Sequence, residues 1–212
     1  MNLLFDLDGT LTNPFQGITQ CIAYALEMMG RPAPHREELG WCIGPPLKYS
    51  FAKLMGTDDK GLIDKTLAFY RERFGTVGLF ENEVYDEIPE ALEALQTRGH
   101  RLYLATSKPR VYAERIIDHF DLSRYFRHLY GAELDGTRND KTSLIAYILK
   151  TESIAASETV MIGDRKYDMI GAKENGVCSF GVLWGYGTKD ELEASGAKEF
   201  IKTPQELVTA FN

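Results

Sequence analysis

Three places in the chain set acidic, hydroxyl or basic side chains directly behind a short apolar run. Asp6 and Asp8 follow Leu3-Leu4-Phe5, Thr106-Ser107-Lys108 follow Leu102-Tyr103-Leu104-Ala105, and Asp164 and Asp168 follow Met161-Ile162-Gly163. In extended chain, residues two apart share a face, so Asp6 and Asp8 can look into one crevice. Carboxylates without a basic neighbour repel, and a hard divalent cation such as Mg²⁺ is the usual remedy. Asp164 and Asp168 can complete an oxygen cage for such an ion. A hydroxyl at a strand end, ahead of a helix, can donate to phosphate alongside unpaired backbone N–H groups. Each signal alone has a plainer reading. Asp-Gly is a common turn, Thr-Ser before Pro is a helix cap, Asp is favoured at helix starts, and a lone Lys141 is a solvated charge. A calcium loop is excluded, because Leu11 and Gly17 stand where Gly and Glu are required.

These acids need strands to carry them. Leu3-Leu4-Phe5 reads as a strand buried on both faces, and Gly9 breaks it. Asp6 then stands at the carboxyl end, where open α/β sheets place ligands. Between 13 and 82 no strand pattern appears. Ile18, Ile22, Ala25, Leu26 and Met29 recur at helical spacing ahead of Gly30. A short helical piece follows at 36–41, and Ile43-Gly44-Pro45-Pro46 opens another helix. A third helix is expected over 58–74, capped by Thr57 or Asp58. From Val84 onward helices alternate with strands at 102–105, 128–131, 159–162, 177–182 and 199–201. That alternation predicts a doubly wound, Rossmann-like parallel sheet built from 1–12 and 83–212, with an all-helical insert at 13–82.

At 212 residues the chain can bury a full core, and 44% apolar with 26% charged residues describes a globular composition. Its net charge of −7 argues against broad contact with nucleic acid or anionic membrane. An anionic substrate therefore has to be drawn in by a local positive site or a metal. Cys21, Cys42 and Cys178 are scattered and odd in number, which suits buried thiols in a reducing compartment. No targeting pattern or membrane-length stretch is visible, so a cytoplasmic location is expected.

Phe5-Asp6-Leu7-Asp8-Gly9-Thr10-Leu11 resembles the first motif of the haloacid dehalogenase superfamily of phosphatases. The other motifs follow in order: Thr106 in Ala105-Thr106-Ser107-Lys108-Pro109, Lys141 after Leu134-Asp135-Gly136-Thr137-Arg138-Asn139-Asp140, and Gly163-Asp164-Arg165-Lys166-Tyr167-Asp168. The resemblance implies phosphomonoester hydrolysis in two steps, with Asp6 as nucleophile and Asp8 as acid and base. It implies Mg²⁺ held by Asp6, the Asp8 carbonyl and Asp164, with Asp168 supporting the metal and orienting Lys141. Phosphate would be bound by Gly9, Thr10, Thr106, Ser107, Lys108 and Lys141. The insert resembles the small cap of this superfamily, in which Trp41, Gly44, Pro45 and Lys48 are candidates for substrate choice.

Several of these stretches, with Ile43-Gly44-Pro45-Pro46-Leu47, are similar to the branch of 5′-nucleotidases, beside the phosphoglycolate phosphatases. A nucleoside 5′-monophosphate is therefore the expected substrate, and 2-phosphoglycolate the alternative. The expected partner is a small phosphorylated metabolite, without nucleic acid or membrane, and the protein is expected to be a monomer or dimer. A receiver-like phosphoacceptor fits less well, because its acceptor Asp lies mid-chain after an earlier acidic pair. A non-catalytic scaffold is disfavoured because each chemical group is present. Walker, dinucleotide-binding, Gly-x-Ser-x-Gly and His-Glu-x-x-His signatures are absent, and the four histidines have no metal spacing.

Overall fold

The structure is a computed structural model and describes residues 1–211. In chain order its strands are β1 (Asn2–Phe5), β2 (Thr12–Asn13), β3 (Glu83–Val84), β4 (Arg101–Pro109), β5 (His128–Ala132), β6 (Thr159–Gly163), β7 (Cys178–Val182) and β8 (Glu199–Ile201). Its α-helices are α1 (Phe15–Met28), α2 (Leu47–Met55), α3 (Lys60–Arg73), α4 (Ile88–Thr97), α5 (Arg110–His119), α6 (Lys141–Glu152), α7 (Lys166–Glu174), α8 (Lys189–Ala194) and α9 (Pro204–Ala210). The chain separates into two compact units, Met1–Asn13 with Val84–Asn212, and Pro14–Glu83.

The first unit carries a parallel sheet in the order β5-β4-β1-β6-β7-β8. β1 lies between β4 and β6, so Leu3, Leu4 and Phe5 are fully buried. Each such side chain contributes about 1.5–3 kcal/mol by leaving water, which explains why the opening run is apolar at every position. After β1 the chain builds outward through β4 to β5, then returns to lay β6, β7 and β8 on the other side. That reversal is a topological switch point, and crevices for ligands open there at the carboxyl ends of the strands. Asp6, Thr106 and Asp164 all stand at those ends. β4 is longer than its apolar core suggests: it continues through Ser107 and Lys108 to Pro109, with an irregular register against β5 beyond Thr106. α5 accordingly starts at Arg110, with Pro109 as its N-cap.

The second unit is helical. α1 packs against α3, and Gly17 and Gly78 allow the close approach of α1 to the turn after α3. A Cβ on Gly17 would stand 2.0 Å from the Gly78 carbonyl oxygen, and one on Gly78 would stand 2.3 Å from Cys21 Sγ. Phe51, Tyr70 and Phe74 fill the interior, with Tyr70 stacked on Phe74 at 5.3 Å. Three details differ from the sequence pattern. The cap of α3 is Asp59, whose Oδ1 accepts the Gly61 and Leu62 N–H groups, while Thr57 Oγ1 accepts the Asp59 N–H. The short helical piece expected at 36–41 is a 3₁₀ helix over Arg36–Cys42, and a π turn over Phe74–Gly78 continues the chain past the expected end of the third helix. Cys21 and Cys42 are buried free thiols and Cys178 is half-buried. Among the described residues, no helix is long and apolar enough to cross a membrane.

Candidate active site

The site is built from the carboxyl ends of β1, β4 and β6 and the first turn of α6. Asp6 follows β1, and its N–H continues the ladder by donating to Ile162 O at 2.9 Å. Its Oδ1 accepts the Leu7 N–H at 2.8 Å and lies 2.8 Å from Lys141 Nζ. Lys141 itself is 4% exposed and also donates to Ala105 O at 2.7 Å. Its ammonium stands 2.6 Å from Asp168 Oδ1, as an ion pair rather than an aligned hydrogen bond. Burial alone would depress the Lys141 ammonium, but Asp168 and Asp6 outweigh it and raise its pKa. One lysine is thus held charged by two acids.

Asp8 takes a different partner. Its Oδ2 lies 2.8 Å from Lys108 Nζ, on a lysine side chain only 6% exposed. Burial raises the Asp8 carboxyl above its ordinary pKa, with Lys108 acting against that rise. Thr106 is buried at the end of the apolar part of β4, and its Oγ1 accepts the Lys108 N–H at 3.2 Å. Ser107 is half-buried next to it.

Gly9 and Thr10 are occupied with building the turn. Gly9 N–H donates to Thr12 O at 2.8 Å and Thr10 N–H to Leu7 O at 3.2 Å. Gly9 has φ +83, and a Cβ there would stand 2.1 Å from Asp164 Oδ2. Its role in this geometry is room for Asp164. The Thr10 side chain is fully buried, and its hydroxyl has no hydrogen-bond partner among the described residues.

Asp164 follows β6 and is fully buried. Its Oδ2 accepts the Tyr186 N–H at 2.8 Å, while its Oδ1 is buried without a hydrogen-bond partner among the described residues. Burial, then the charges of Asp168 and Asp6, hold its carboxyl well above the ordinary range. Asp168 Oδ2 accepts the Arg165 N–H, capping α7, and burial raises its pKa to about 6 against the pull of Lys141. Asp6, Asp164 and Asp168 each offer an oxygen within 4.8 Å of the others. Three carboxylates against one ammonium, with a buried oxygen lacking a partner, is a donor set that fits a hard divalent cation.

Sequence patterns did not single out the loop after β7, yet it braces the site from behind. Trp184 Nε1 donates to Thr10 O at 3.1 Å, and Tyr186 Oη donates to Asn13 Oδ1 at 2.5 Å. Gly185 and Gly187 flank Tyr186 because a Cβ on either would strike Asp164, at 2.3 Å from its Cβ and 2.0 Å from its carbonyl oxygen respectively. Tyr85 bonds to the Tyr186 phenol, and burial with the nearby Asp164 and Asp8 charges pushes its own phenol up. Gly163 and Gly171 similarly make room for Asp168 and Lys141. The signal available in the sequence was Gly-Tyr-Gly straight after a strand.

The candidates in the helical unit are far less constrained. Trp41 is half-buried, with Lys53 Nζ 4.6 Å above its ring. Gly44 is exposed at φ +102, and Pro45 is half-buried. Lys48 is exposed and pairs with Asp64 at 2.6 Å.

Known proteins match this arrangement along the chain. The family model for haloacid dehalogenase-like hydrolases matches residues 3–182. A 5′-nucleotidase of Pseudomonas aeruginosa is 50% identical over 193 residues, covering 91% of this chain and 87% of that protein. The tyrosine-protein kinase PtkA of Mycobacterium tuberculosis is 34% identical over 90% of this chain and 65% of its own length. Among solved structures, a predicted phosphatase from Clostridium acetobutylicum superposes with a TM-score of 0.94 at 38% identity, covering 99% of this chain and 96% of that one. With its acids and lysines at the ends of a doubly wound parallel sheet, this chain belongs to the haloacid dehalogenase-like hydrolase family and is a phosphoric monoester hydrolase.

Proposed function

We propose that the chain hydrolyses nucleoside 5′-monophosphates through an aspartyl-phosphate on Asp6. The observation that carries the reading is the division of labour between two neighbouring acids. Asp6 faces Lys141, whose ammonium lies 2.8 Å from its Oδ1 and steers the carboxyl group that would attack phosphorus. Asp8, two residues on, is half-buried against Lys108 with its pKa raised, which suits a group that must hold a proton and then release it. In the first step Asp6 bonds to phosphorus as the phosphorus–alkoxide bond breaks, and Asp8 delivers its proton to the leaving oxygen. In the second, Asp8 takes a proton from water, whose oxygen attacks phosphorus and returns Asp6 as a carboxylate. Lys141 and Lys108 supply positive charge for the phosphoryl oxygens, and Thr106 and Ser107 supply hydroxyls at the same strand end.

Asp6, Asp164 and the Asp8 carbonyl would hold Mg²⁺, with Asp168 beside them. When bound, the ion supplies charge that screens an anionic phosphate from the carboxylate approaching it. Support for the nucleotide comes from the relation to the Pseudomonas aeruginosa 5′-nucleotidase. The helical unit, residues 14–83, is assigned the choice of leaving group, and the protein works on small phosphorylated metabolites.

Release of inorganic phosphate from a panel of monoesters, with Mg²⁺ and with EDTA, tests the reading. Nucleoside 5′-monophosphates should lead the panel, and EDTA should abolish turnover. A lead for 2-phosphoglycolate would overturn the nucleotide, and full activity in EDTA would overturn the metal. Release of inorganic phosphate also separates hydrolysis from transfer to a protein side chain, which the kinase relative's name describes for that protein.

A further inference from the structure

Among the described residues, four that are not glycine carry a positive φ: Glu87, Asp121, Arg138 and Ser153. Three of them end helices. Glu87 is the N-cap of α4, Ser153 the C-cap of α6, and Asp121 follows the C-cap of α5. Arg138, at φ +59, ends no helix but is the third residue of a turn that the Asn139 N–H closes on Gly136 O. Glycine would fill that turn position without strain, and backbone strain that is retained gathers at functional sites, so its surroundings matter.

Arg138 sits in the loop between β5 and α6, three residues before Lys141. Its Nη2 donates to Glu133 Oε1 at 2.6 Å, and its guanidinium lies 4.4 Å from the Tyr147 ring centroid. Its Nε is buried without a hydrogen-bond partner among the described residues. The same Glu133 oxygen is 3.6 Å from Arg110 Nε, and Arg110 Nη1 donates to Glu114 at 2.7 Å. Arg110 stands two residues after Lys108. The backbone between them is pinned against β5: Pro109 is in register with Ala132, and a Cβ on Gly131 would stand 2.8 Å from Lys108 O and 2.9 Å from Arg110 N. Glu133 also closes its own loop, donating its N–H to Thr137 O and accepting the Gly136 N–H. The chain of ion pairs Glu114–Arg110–Glu133–Arg138 therefore ties the start of α5, two residues past Lys108, to the loop that leads into Lys141. These pairs line an open groove of about 520 Å³ beside β5. Partly exposed pairs contribute little to stability, so stability alone gives no reason to hold Arg138 in a strained conformation.

We propose that Glu133 and Arg138 are positioning residues, which fix Lys108 and Lys141 relative to one another through this ion chain. The inference rests on the roles given above to those two lysines. Loosening the loop leaves both lysines present but badly placed, and a displacement of about 1 Å at a reacting group is enough to lower turnover by up to about 100-fold.

The test uses Arg138→Gly, which removes both the side chain and the backbone strain, beside Glu133→Gln, which removes only the charge. The control is Asp121→Gly, which relieves the same kind of strain far from the ion chain. With p-nitrophenyl phosphate, both network variants should lose about tenfold in kcat with KM within about twofold, and with Tm unchanged or raised. Asp121→Gly should keep wild-type kcat. Unchanged kcat in both network variants would overturn the inference, and so would a fall in kcat that follows a fall in Tm, since that describes a structural role. Lys108→Met and Lys141→Met keep the two failures apart. If these variants retain wild-type turnover, the reading of the lysines is wrong; if they lose it while the network variants do not, only the positioning role is wrong.

Discussion

The candidate functional residues of the two units sit in opposite surroundings. In the sheet unit, Asp164, Asp168, Thr106, Lys141 and Asp6 are all buried, and each is fixed by a strand end, a helix start or a partner charge. In the helical unit, Gly44 and Lys48 are exposed, and the pair that Lys48 makes with Asp64 has both side chains more than half exposed. Desolvated charges in fixed geometry are what phosphoryl chemistry needs, because electrostatic stabilisation is strongest where nothing has to reorganise. Surface residues on helices can change without disturbing that geometry. The proposed function assigns chemistry to one unit and choice of substrate to the other, and the following variants can break that division.

The largest effect belongs to Asp6→Asn. An amide does not attack phosphorus, so turnover of every monoester should vanish while folding survives, checked by Tm alongside phosphate release. Next is Asp8→Asn, expected to lose about 10²–10⁴-fold in kcat for alkyl phosphates, the usual contribution of a positioned acid and base. The loss should be smaller for p-nitrophenyl phosphate, whose leaving group hardly needs a proton; equal losses would remove Asp8 from the acid role. Gly185→Ala follows, because its new Cβ would stand 2.3 Å from Asp164 Cβ and 2.4 Å from Gly9 O. Displacing Asp164 should lower kcat by roughly 10²-fold and raise the Mg²⁺ concentration needed for half-maximal activity. An unchanged Mg²⁺ requirement would detach Asp164 from the metal. The smallest effect is expected in the helical unit. If Trp41 stacks on a base, Trp41→Ala should reduce kcat/KM for nucleotides by roughly 1–3 kcal/mol, or about 5- to 150-fold, and leave p-nitrophenyl phosphate untouched. If both substrates suffer together and Tm falls, Trp41 is core, and its half-buried ring under Lys53 serves packing.

The strand-end acids were legible because the change from apolar run to carboxylate is a local event, readable within a few residues. The doubly wound sheet was legible for the same reason, since Leu3-Leu4-Phe5 and Met161-Ile162 admit no amphipathic alternative. Partnerships were not. Nothing near Lys108 says that it pairs with Asp8 while Lys141 pairs with Asp6, since both choices join distant segments. Trp184 reaches Thr10 across 174 residues, and Tyr186 reaches Asp164 across 22. Boundaries failed where side chains compete for the same backbone groups: Thr57, Asp58 and Asp59 are all cap-forming types, and Asp59 is the one whose carboxylate accepts the Gly61 and Leu62 N–H groups. β4 runs past its apolar stretch because pairing with β5, not side-chain pattern, carries it to Pro109.

The central claim is that phosphorus is transferred to Asp6. Wild-type protein turning over p-nitrophenyl phosphate with Mg²⁺ can be quenched in acid within the first turnovers, digested, and its peptides weighed by mass spectrometry. A phosphoryl group on the peptide carrying Asp6, assigned to that residue by fragmentation and missing from Asp6→Asn, is the predicted result. Burst release of p-nitrophenol with the phosphoryl group on any other residue, or rapid turnover with no phosphorylated peptide under conditions that preserve acyl phosphates, would contradict it.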